Sequence, residues 1–169
     1  LGDGARLLPP PPLPCRRLEF IGDSMTCGFG NLSAGPQEPF SPATEDSTQT
    51  YAALTSRHFG ADTRYLCRSG RGIISDCEGS RAQPVPRWFF ETSLTHPQPW
   101  DFSSWQPDVA VINLGTNDRN GGVSQEEFTA GAVAFLRRIR GVYPNARLLW
   151  MYGLMDEDFI PAVKEAVET

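Results

Sequence analysis

Apolar residues occur along this chain in two patterns, as short continuous runs and as single residues at helical spacing. Four short apolar runs, in residues 18–21, 64–67, 108–114 and 146–152, have the length and composition of buried strands. Between these runs, apolar residues recur at helical spacing. Because strands alternate with helices, the pattern predicts an α/β fold with a parallel sheet and right-handed crossovers.

The helices are predicted from this spacing and from their end signals. Ser47 or Thr48 is a candidate cap for the first helix. Ser124 and Glu127 form a capping box, because each side chain can bind the backbone N–H of the other residue. The predicted helices span residues 47–59, 86–94 and 124–142, and a last helix starts at Asp156.

Two segments lack either pattern. Residues 1–17 contain the run Pro9-Pro10-Pro11-Pro12, which predicts a polyproline-like linker from an upstream domain, so that the folded domain spans residues 18–169. Residues 73–107 form a long irregular connection between the second and third strands. Loops of that length inside a domain tend to be functional.

The length and composition of the chain are typical of a single acidic domain. The 169 residues are 40% hydrophobic and 21% charged, which is typical of globular proteins. A net charge of −5 argues against a nucleic-acid partner, because no basic surface is available to neutralise phosphates. The cluster Arg137-Arg138-Ile139-Arg140 is interpreted as the solvated face of a helix. No apolar run approaches the roughly 20 residues of a membrane-spanning helix.

The four cysteines show no Cys-x-x-Cys pair, and this spacing argues against a zinc site. Cys27, beside the first strand, and Cys67, within the second, are interpreted as small buried hydrophobic side chains. A disulfide that involves Cys15 or Cys77 stays open for an exported protein.

Candidate chemistry begins where the first apolar run ends in Gly22-Asp23-Ser24. Glycine permits a tight turn, and a helix that starts at Ser24 would point its backbone N–H groups at an oxyanion. This is the arrangement that a serine nucleophile needs. Taken alone, the tripeptide is also common in surface turns.

Two further loops support the catalytic interpretation. Ser69-Gly70-Arg71-Gly72 follows the second apolar run, and Gly115-Thr116-Asn117-Asp118 follows the third. In a parallel sheet, all three loops emerge at the carboxyl edge of the strands. The sequence therefore predicts one site built from three loops.

These motifs together resemble blocks of the SGNH/GDSL hydrolase superfamily. Three segments are similar in sequence to the acetyl esterases of carbohydrate esterase family two. They are Ile-Gly-Asp-Ser-Met-Thr-Cys-Gly-Phe-Gly-Asn, Ser-Gly-Arg-Gly-Ile and Asn-Leu-Gly-Thr-Asn-Asp. The resemblance runs from Leu18 to the C-terminus. It implies a three-layer α/β/α sandwich around the parallel sheet, with flavodoxin-like topology.

The resemblance also implies a mechanism. Ser24 would be the nucleophile, and its own N–H, the N–H of Gly70 and the side-chain amide of Asn117 would form the oxyanion hole. Gly72 competes with Gly70, which is preferred as the first glycine after the strand. Neither a metal nor an organic cofactor is implied. The implied reaction is removal of acetyl groups from a polysaccharide such as xylan through an acetyl-serine intermediate.

The family's biology supplies two more expectations. Family-two esterases carry a β-sandwich domain before the hydrolase domain, and the proline-rich residues 1–17 resemble the junction. An extracellular or secretory location is favoured by the resemblance alone.

The general base is the departure from the family pattern. The family takes it from a histidine in a late Asp-x-x-His block, whereas this sequence contains only His58 and His96, both earlier in the chain. The chain stops at Thr169, about one strand–helix unit of roughly 30 residues short of the superfamily fold. The histidine and its aspartate are therefore expected beyond Thr169. The alternative is a non-catalytic glycan-binding or scaffold domain, and an esterase for lipid or thioester acyl chains is a lesser variant.

The tryptophans of the long connection are candidate substrate-binding residues. Trp88, Trp100 and Trp105 could line a sugar-binding cleft, because flat apolar rings match the C–H faces of pyranosides. Packing of these rings in the core is the competing interpretation.

Overall fold

The strands of this protein form one parallel sheet. The structure is a computed structural model that describes residues 2, 4–10, 12–93 and 95–169. Four strands, in the spatial order β2-β1-β3-β4, make up the sheet: β1 (Arg17–Gly22), β2 (Asp62–Cys67), β3 (Val109–Asn113) and β4 (Arg147–Trp150). The predicted parallel sheet is confirmed, and β4 is shorter than the predicted 146–152.

The register of the strands brings three of their ends together. Gly22, the last residue of the central strand β1, pairs with Cys67 of β2 and with Asn113 of β3. All three strands run in the same direction, so the segments that follow them leave the sheet at one edge. This carboxyl edge is where the candidate motifs begin.

Helices cover both faces of the sheet. Their bounds are α1 (Ser24–Cys27), α2 (Tyr51–Phe59), α3 (Val85–Trp88), α4 (Thr116–Asn120), α5 (Gln125–Val142) and α6 (Ile160–Glu168). On one face, Ile21 and Ile112 share a buried cluster with Phe135 of α5 and Ala162 of α6. On the other face, Phe20 and Val111 pack with Ala52 of α2. The three-layer α/β/α prediction is therefore confirmed.

The beginnings of two helices differ from the prediction. Asp46 caps a single 3-10 turn over Ser47–Gln49, and Thr50 is extended, so α2 begins only at Tyr51. Thr50 Oγ1 accepts the Ala53 N–H at 3.2 Å, so the cap is Thr50 and the prediction of Ser47 or Thr48 is wrong.

At α5 the predicted serine cap is confirmed, because Ser124 Oγ accepts the Glu127 N–H at 3.2 Å. The second half of the capping box is wrong. The Glu127 carboxylate pairs with Arg81 of the long connection, because that guanidinium offers it a charged partner.

The two other predicted helices are shorter than expected. α3 ends at Trp88 and does not continue towards residue 94, which lies outside the described residues. α6 begins at Ile160, because the Asp156 carboxylate is engaged by the Tyr152 hydroxyl and the chain turns over residues 158–159. Within the described part of the chain, no helix is both long and apolar enough to cross a membrane.

Glu19 is a buried carboxyl in the middle of β1. Its residue is only 6% exposed, and Oε2 finds no hydrogen-bond partner among the described residues. Burial raises the pKa of Glu19 from its ordinary 4.5 to about 7, although the Tyr143 hydroxyl and the Arg64 charge act in the opposite direction. The folded protein therefore binds this proton more tightly than the unfolded chain does.

This shift predicts that stability falls as pH rises. The stabilisation by protonated Glu19 is complete below pH 4.5 and is lost as pH rises through about 7. Glu19→Gln, which is neutral at every pH, is expected to raise the free energy of unfolding at pH 8.5 by about 2 kcal/mol and to change it little at pH 4. Urea denaturation at both pH values measures the difference. Glu165→Gln on the exposed side of α6 is the control, and equal effects of the two variants would contradict the assignment.

Candidate active site

The nucleophile candidate lies on a tight turn between β1 and α1. Gly22 ends β1, and a Cβ at this position would collide with Thr26 Oγ1, so the turn requires glycine. Asp23 then caps α1, with Oδ1 accepting the Met25 N–H at 3.1 Å. Ser24 is the first residue of the helix and stays half-buried, with its backbone N–H free of an acceptor among the described residues.

The loop after β2 approaches this turn from one side. The Arg68 N–H donates to the carbonyl of Gly22 at 3.2 Å, so the loop starts beside the end of β1. Gly70 has a φ of +78°, a left-handed conformation that glycine adopts without strain, and its carbonyl accepts the Cys77 N–H at 3.0 Å. The Gly70 N–H has no acceptor within the described part of the chain. Gly72, the competing candidate, is buried against the carboxylate of Asp118.

Asn117 joins the first and second loops. Its buried side-chain amide donates to Asp23 Oδ2 at 3.1 Å and to the carbonyl of Arg71 at 2.9 Å. One partner immediately precedes Ser24, and the other immediately follows Gly70. The structure thus brings together the three predicted segments. Asn117 is 94 residues from Asp23 and 46 residues from Arg71 along the chain.

Asp118 holds the glycine loop in place. Its Oδ2 accepts the Ile73 N–H at 2.9 Å, and its Oδ1 accepts the N–H groups of Ile74 at 2.7 Å and Ser75 at 3.0 Å. Sequence reasoning assigned no role to Asp23 or Asp118. The available signal was that an aspartate stands directly beside each candidate polar residue, before Ser24 and after Asn117.

The chain matches a known protein family over most of its length. A family model described as the GDSL-like lipase/acylhydrolase family matches residues 20–167. The chain belongs to this GDSL-like family.

Two proteins that are similar to this chain in sequence are carbohydrate esterases. The chain is 35% identical over 158 residues to the cellulase/esterase CelE of Acetivibrio thermocellus, covering 91% of this chain and 19% of that protein. It is 28% identical over 155 residues to an acetylxylan esterase / glucomannan deacetylase of Cellvibrio japonicus, covering 89% of this chain and 43% of that one. The predicted resemblance to the carbohydrate esterases is confirmed.

Solved structures show the same fold. A family two carbohydrate esterase from Clostridium thermocellum, solved in complex with cellohexaose, superimposes with a TM-score of 0.88 at 31% identity. The match covers 96% of this chain and 52% of that one. The chain therefore spans about half of this solved relative, and less than half of the two curated relatives.

Burial sets the electrostatics of this GDSL-family site. It raises the pKa of Asp23 from its ordinary 3.8 to about 7, against the effect of the Met25 N–H, and the nearby Asp118 adds to the increase. Burial also raises the pKa of Asp118, although its three backbone N–H donors oppose the change. Two partly desolvated carboxyls therefore stand next to the turn that carries Ser24.

Two of the three candidate tryptophans are buried, as the competing interpretation of core packing expects. Trp88 of α3 is buried, and Trp105 is buried with its Nε1 donating to Asp62 Oδ2 at 2.7 Å. Asp62 is the first residue of β2, so Trp105 lies at the amino edge of the sheet, opposite Ser24. Core packing explains both rings, because a large apolar ring gains more from burial than from water contact. Trp100 is 38% exposed and packs over the Arg64 guanidinium, and its substrate role stays a prediction.

The two histidines lie away from the nucleophile turn. Tyr51 at the start of α2 reaches the carboxyl edge, where its hydroxyl is 2.9 Å from Thr26 Oγ1. α2 then runs back to the start of β2, which places the exposed His58 near the opposite edge. His96 is exposed in the long connection and contacts Thr95. Neither histidine hydrogen-bonds to Ser24 in the described part of the structure.

All four cysteines are free thiols. Cys27 and Cys67 are half-buried, whereas the sequence predicted that both would be buried. They contact each other at the carboxyl edge, and this contact, with further help from Ser69, lowers the pKa of Cys27. Cys15 and Cys77 are exposed.

Proposed function

We propose that the protein is a serine esterase that removes acetyl groups from carbohydrate through an acetyl-Ser24 intermediate. The observation that carries this proposal is the Asn117 amide, which bonds to Asp23 beside Ser24 and to the carbonyl of Arg71 beside Gly70. These bonds tie together the segments that carry Ser24, Gly70 and Asn117, which supports a shared role of the three residues in one site. Acyl transfer needs a nucleophile together with donors aimed at the developing oxyanion.

The proposed first step is attack of Ser24 Oγ on the acetyl carbonyl. The carbonyl oxygen becomes an oxyanion that accepts hydrogen bonds from the backbone N–H groups of Ser24 and Gly70 and from the amide of Asn117. The bond between the acetyl carbon and the sugar oxygen then breaks, and this oxygen takes up the proton that the general base removed from Ser24. Water attacks the acetyl-serine in a second step, which releases acetate and restores the Ser24 hydroxyl. Both N–H groups of the Asn117 amide already have acceptors in the free site, so one of them is shared or redirected when the oxyanion forms.

Asp23 is proposed to position Asn117 and not to take the serine proton. Its Oδ1 accepts the Met25 N–H and its Oδ2 accepts the Asn117 amide, and neither oxygen hydrogen-bonds to the Ser24 hydroxyl among the described residues. Ionised Asp23 accepts these bonds more strongly than the protonated form does. The general base is proposed to be a histidine outside the 169 residues, because His58 and His96 lie elsewhere in the fold.

The relatives support acetylated carbohydrate as the substrate class. One similar protein is an acetylxylan esterase / glucomannan deacetylase, and another is a carbohydrate esterase in complex with cellohexaose. We therefore propose an acetylated polysaccharide, such as xylan, as the substrate of the whole protein.

Acetate release tests this proposal. The full-length protein is expected to release acetate from acetylated xylan, none from xylan deacetylated with alkali, and little product from p-nitrophenyl palmitate. Enzymatic determination of acetate gives the rates. A full-length protein that binds the polymer but releases no acetate would instead support the non-catalytic glycan-binding alternative.

A further inference from the structure

Two phenylalanines form an exposed aromatic pair in the loop that follows α1. The ring centroids of Phe29 and Phe40 are 5.4 Å apart, and their planes meet at only 9°. Phe29 is 47% exposed and Phe40 is 54% exposed. Single exposed apolar side chains are common, but two large rings stacked in solvent make a continuous apolar surface that suits a ligand.

This pair is attached directly to the nucleophile helix. The N–H groups of Gly28 and Phe29 both donate to the carbonyl of Ser24 at 2.9 Å. The backbone of Phe29 is therefore one hydrogen bond away from the backbone of the proposed nucleophile. Phe29 therefore begins the loop within one helical turn of the proposed nucleophile.

The loop that carries the rings is tied to itself at its base. The Asp46 N–H donates to the carbonyl of Gly28 at 3.1 Å, and Asn31 Nδ2 donates to the carbonyl of Asp46 at 2.9 Å. Further along, the Leu32 N–H donates to the carbonyl of Thr44 at 3.1 Å. These bonds close residues 28–46 into one loop.

Prolines restrict the second half of this loop. Pro39 and Pro42 stand on either side of Phe40 and Ser41, and each ring fixes its own φ angle. Proline also disfavours the helical conformation for the residue before it, so the backbone on both sides of Phe40 is restricted. This restriction lowers the entropy that the loop can lose when a ligand binds.

We propose that Phe29 and Phe40 form a platform for the pyranose rings of the polysaccharide whose acetyl ester reaches Ser24. This inference rests on the proposed function. The C–H faces of a pyranose ring pack on flat aromatic rings, while its hydroxyl groups stay in water at the rim. The acidic side chains Glu38 and Glu45 belong to the same loop, so a neutral polysaccharide fits better than a polyanionic one.

Binding of cellohexaose to the full-length protein tests the platform without any catalytic step. Phe29→Ala and Phe40→Ala are each expected to weaken the Kd, measured by isothermal titration calorimetry, by about tenfold, because each variant removes a stacked ring. Phe59→Ala is the matched control. Phe59 is the same residue type, is 46% exposed and ends α2 at the opposite edge, so its Kd is expected to stay within about twofold of the parent value.

Several outcomes would overturn the platform. Unchanged affinity in both variants would do so, as would a parent protein that does not bind cellohexaose. Lower thermal stability without a change in Kd would show that another part of the full-length chain covers the rings. Slower hydrolysis of p-nitrophenyl palmitate with unchanged cellohexaose affinity would assign the rings to an acyl chain. Acetate release is measured separately, so failure of the platform and failure of the esterase proposal are distinguishable.

Discussion

Ser24→Ala is expected to abolish ester hydrolysis by the full-length protein, with a loss in kcat on the order of 10⁶. The hydroxyl is the only group proposed to form the covalent intermediate, and the oxyanion donors alone retain a small fraction of the rate. The fold should not change, because alanine is a good helix residue and Asp23 still caps α1. Labelling by a fluorophosphonate probe, read by mass spectrometry, should disappear together with activity.

Ser47→Ala is a close control for this experiment. Ser47 follows the capping residue Asp46 just as Ser24 follows the capping residue Asp23, and both serines start a helical turn. Ser47 is exposed, and its variant is expected to keep parental rates and labelling. Equal labelling of the Ser24→Ala variant and the parent would remove Ser24 as the nucleophile.

Asn117→Ala is expected to lower kcat by about 10²–10³ while KM changes little. The amide would donate to the oxygen only after that oxygen becomes charged, so its loss affects the transition state more than the bound substrate. The variant also leaves the carbonyl of Arg71 and Asp23 Oδ2 without this donor. A loss of about 1–3 kcal/mol in stability is expected from that change, so the kinetics are measured well below the melting temperature.

Asn120→Ala provides the comparison on the same helix. Asn120 is exposed at the end of α4, and among the described residues its side chain makes one hydrogen bond, which Arg119 Nη1 donates to Asn120 Oδ1 at 3.4 Å. Its replacement should leave kcat and stability near parental values. If the Asn117 variant retained most of the parental kcat, the amide would have a packing role only.

The position of the candidate site at the carboxyl edge was predictable from the sequence by two rules. Apolar runs such as residues 108–114 identify buried strands, and parallel strands deliver their following loops to one edge. The motifs Gly22-Asp23-Ser24 and Gly115-Thr116-Asn117-Asp118 therefore had to approach each other. Which atoms meet there was not predictable, because the bond between Asn117 and Asp23 joins residues 94 positions apart.

The tryptophans show where local reasoning fails. Trp88, Trp100 and Trp105 all lie in the long connection of residues 73–107, yet two are buried and one is partly exposed. Their burial depends on partners such as Asp62, which is 43 residues from Trp105. The exposed aromatic pair is instead Phe29 and Phe40, in the loop that follows the Ser24 helix. This loop is rich in glycine and proline, and no sequence pattern predicted that its two phenylalanines would stack.

The sequence by itself determined the order of strands and helices along the chain and the cap at Ser124, since each follows from neighbours within a few positions. It also determined the common edge of the three loops, because parallel strands end at the same edge of a sheet. Only the tertiary structure decided which polar groups are desolvated, as Glu19, Asp23 and Asp118 are, and which aromatic rings remain in water. Burial is a property of the assembled layers. It depends on contacts between residues that are distant in the chain, and no local pattern encodes it.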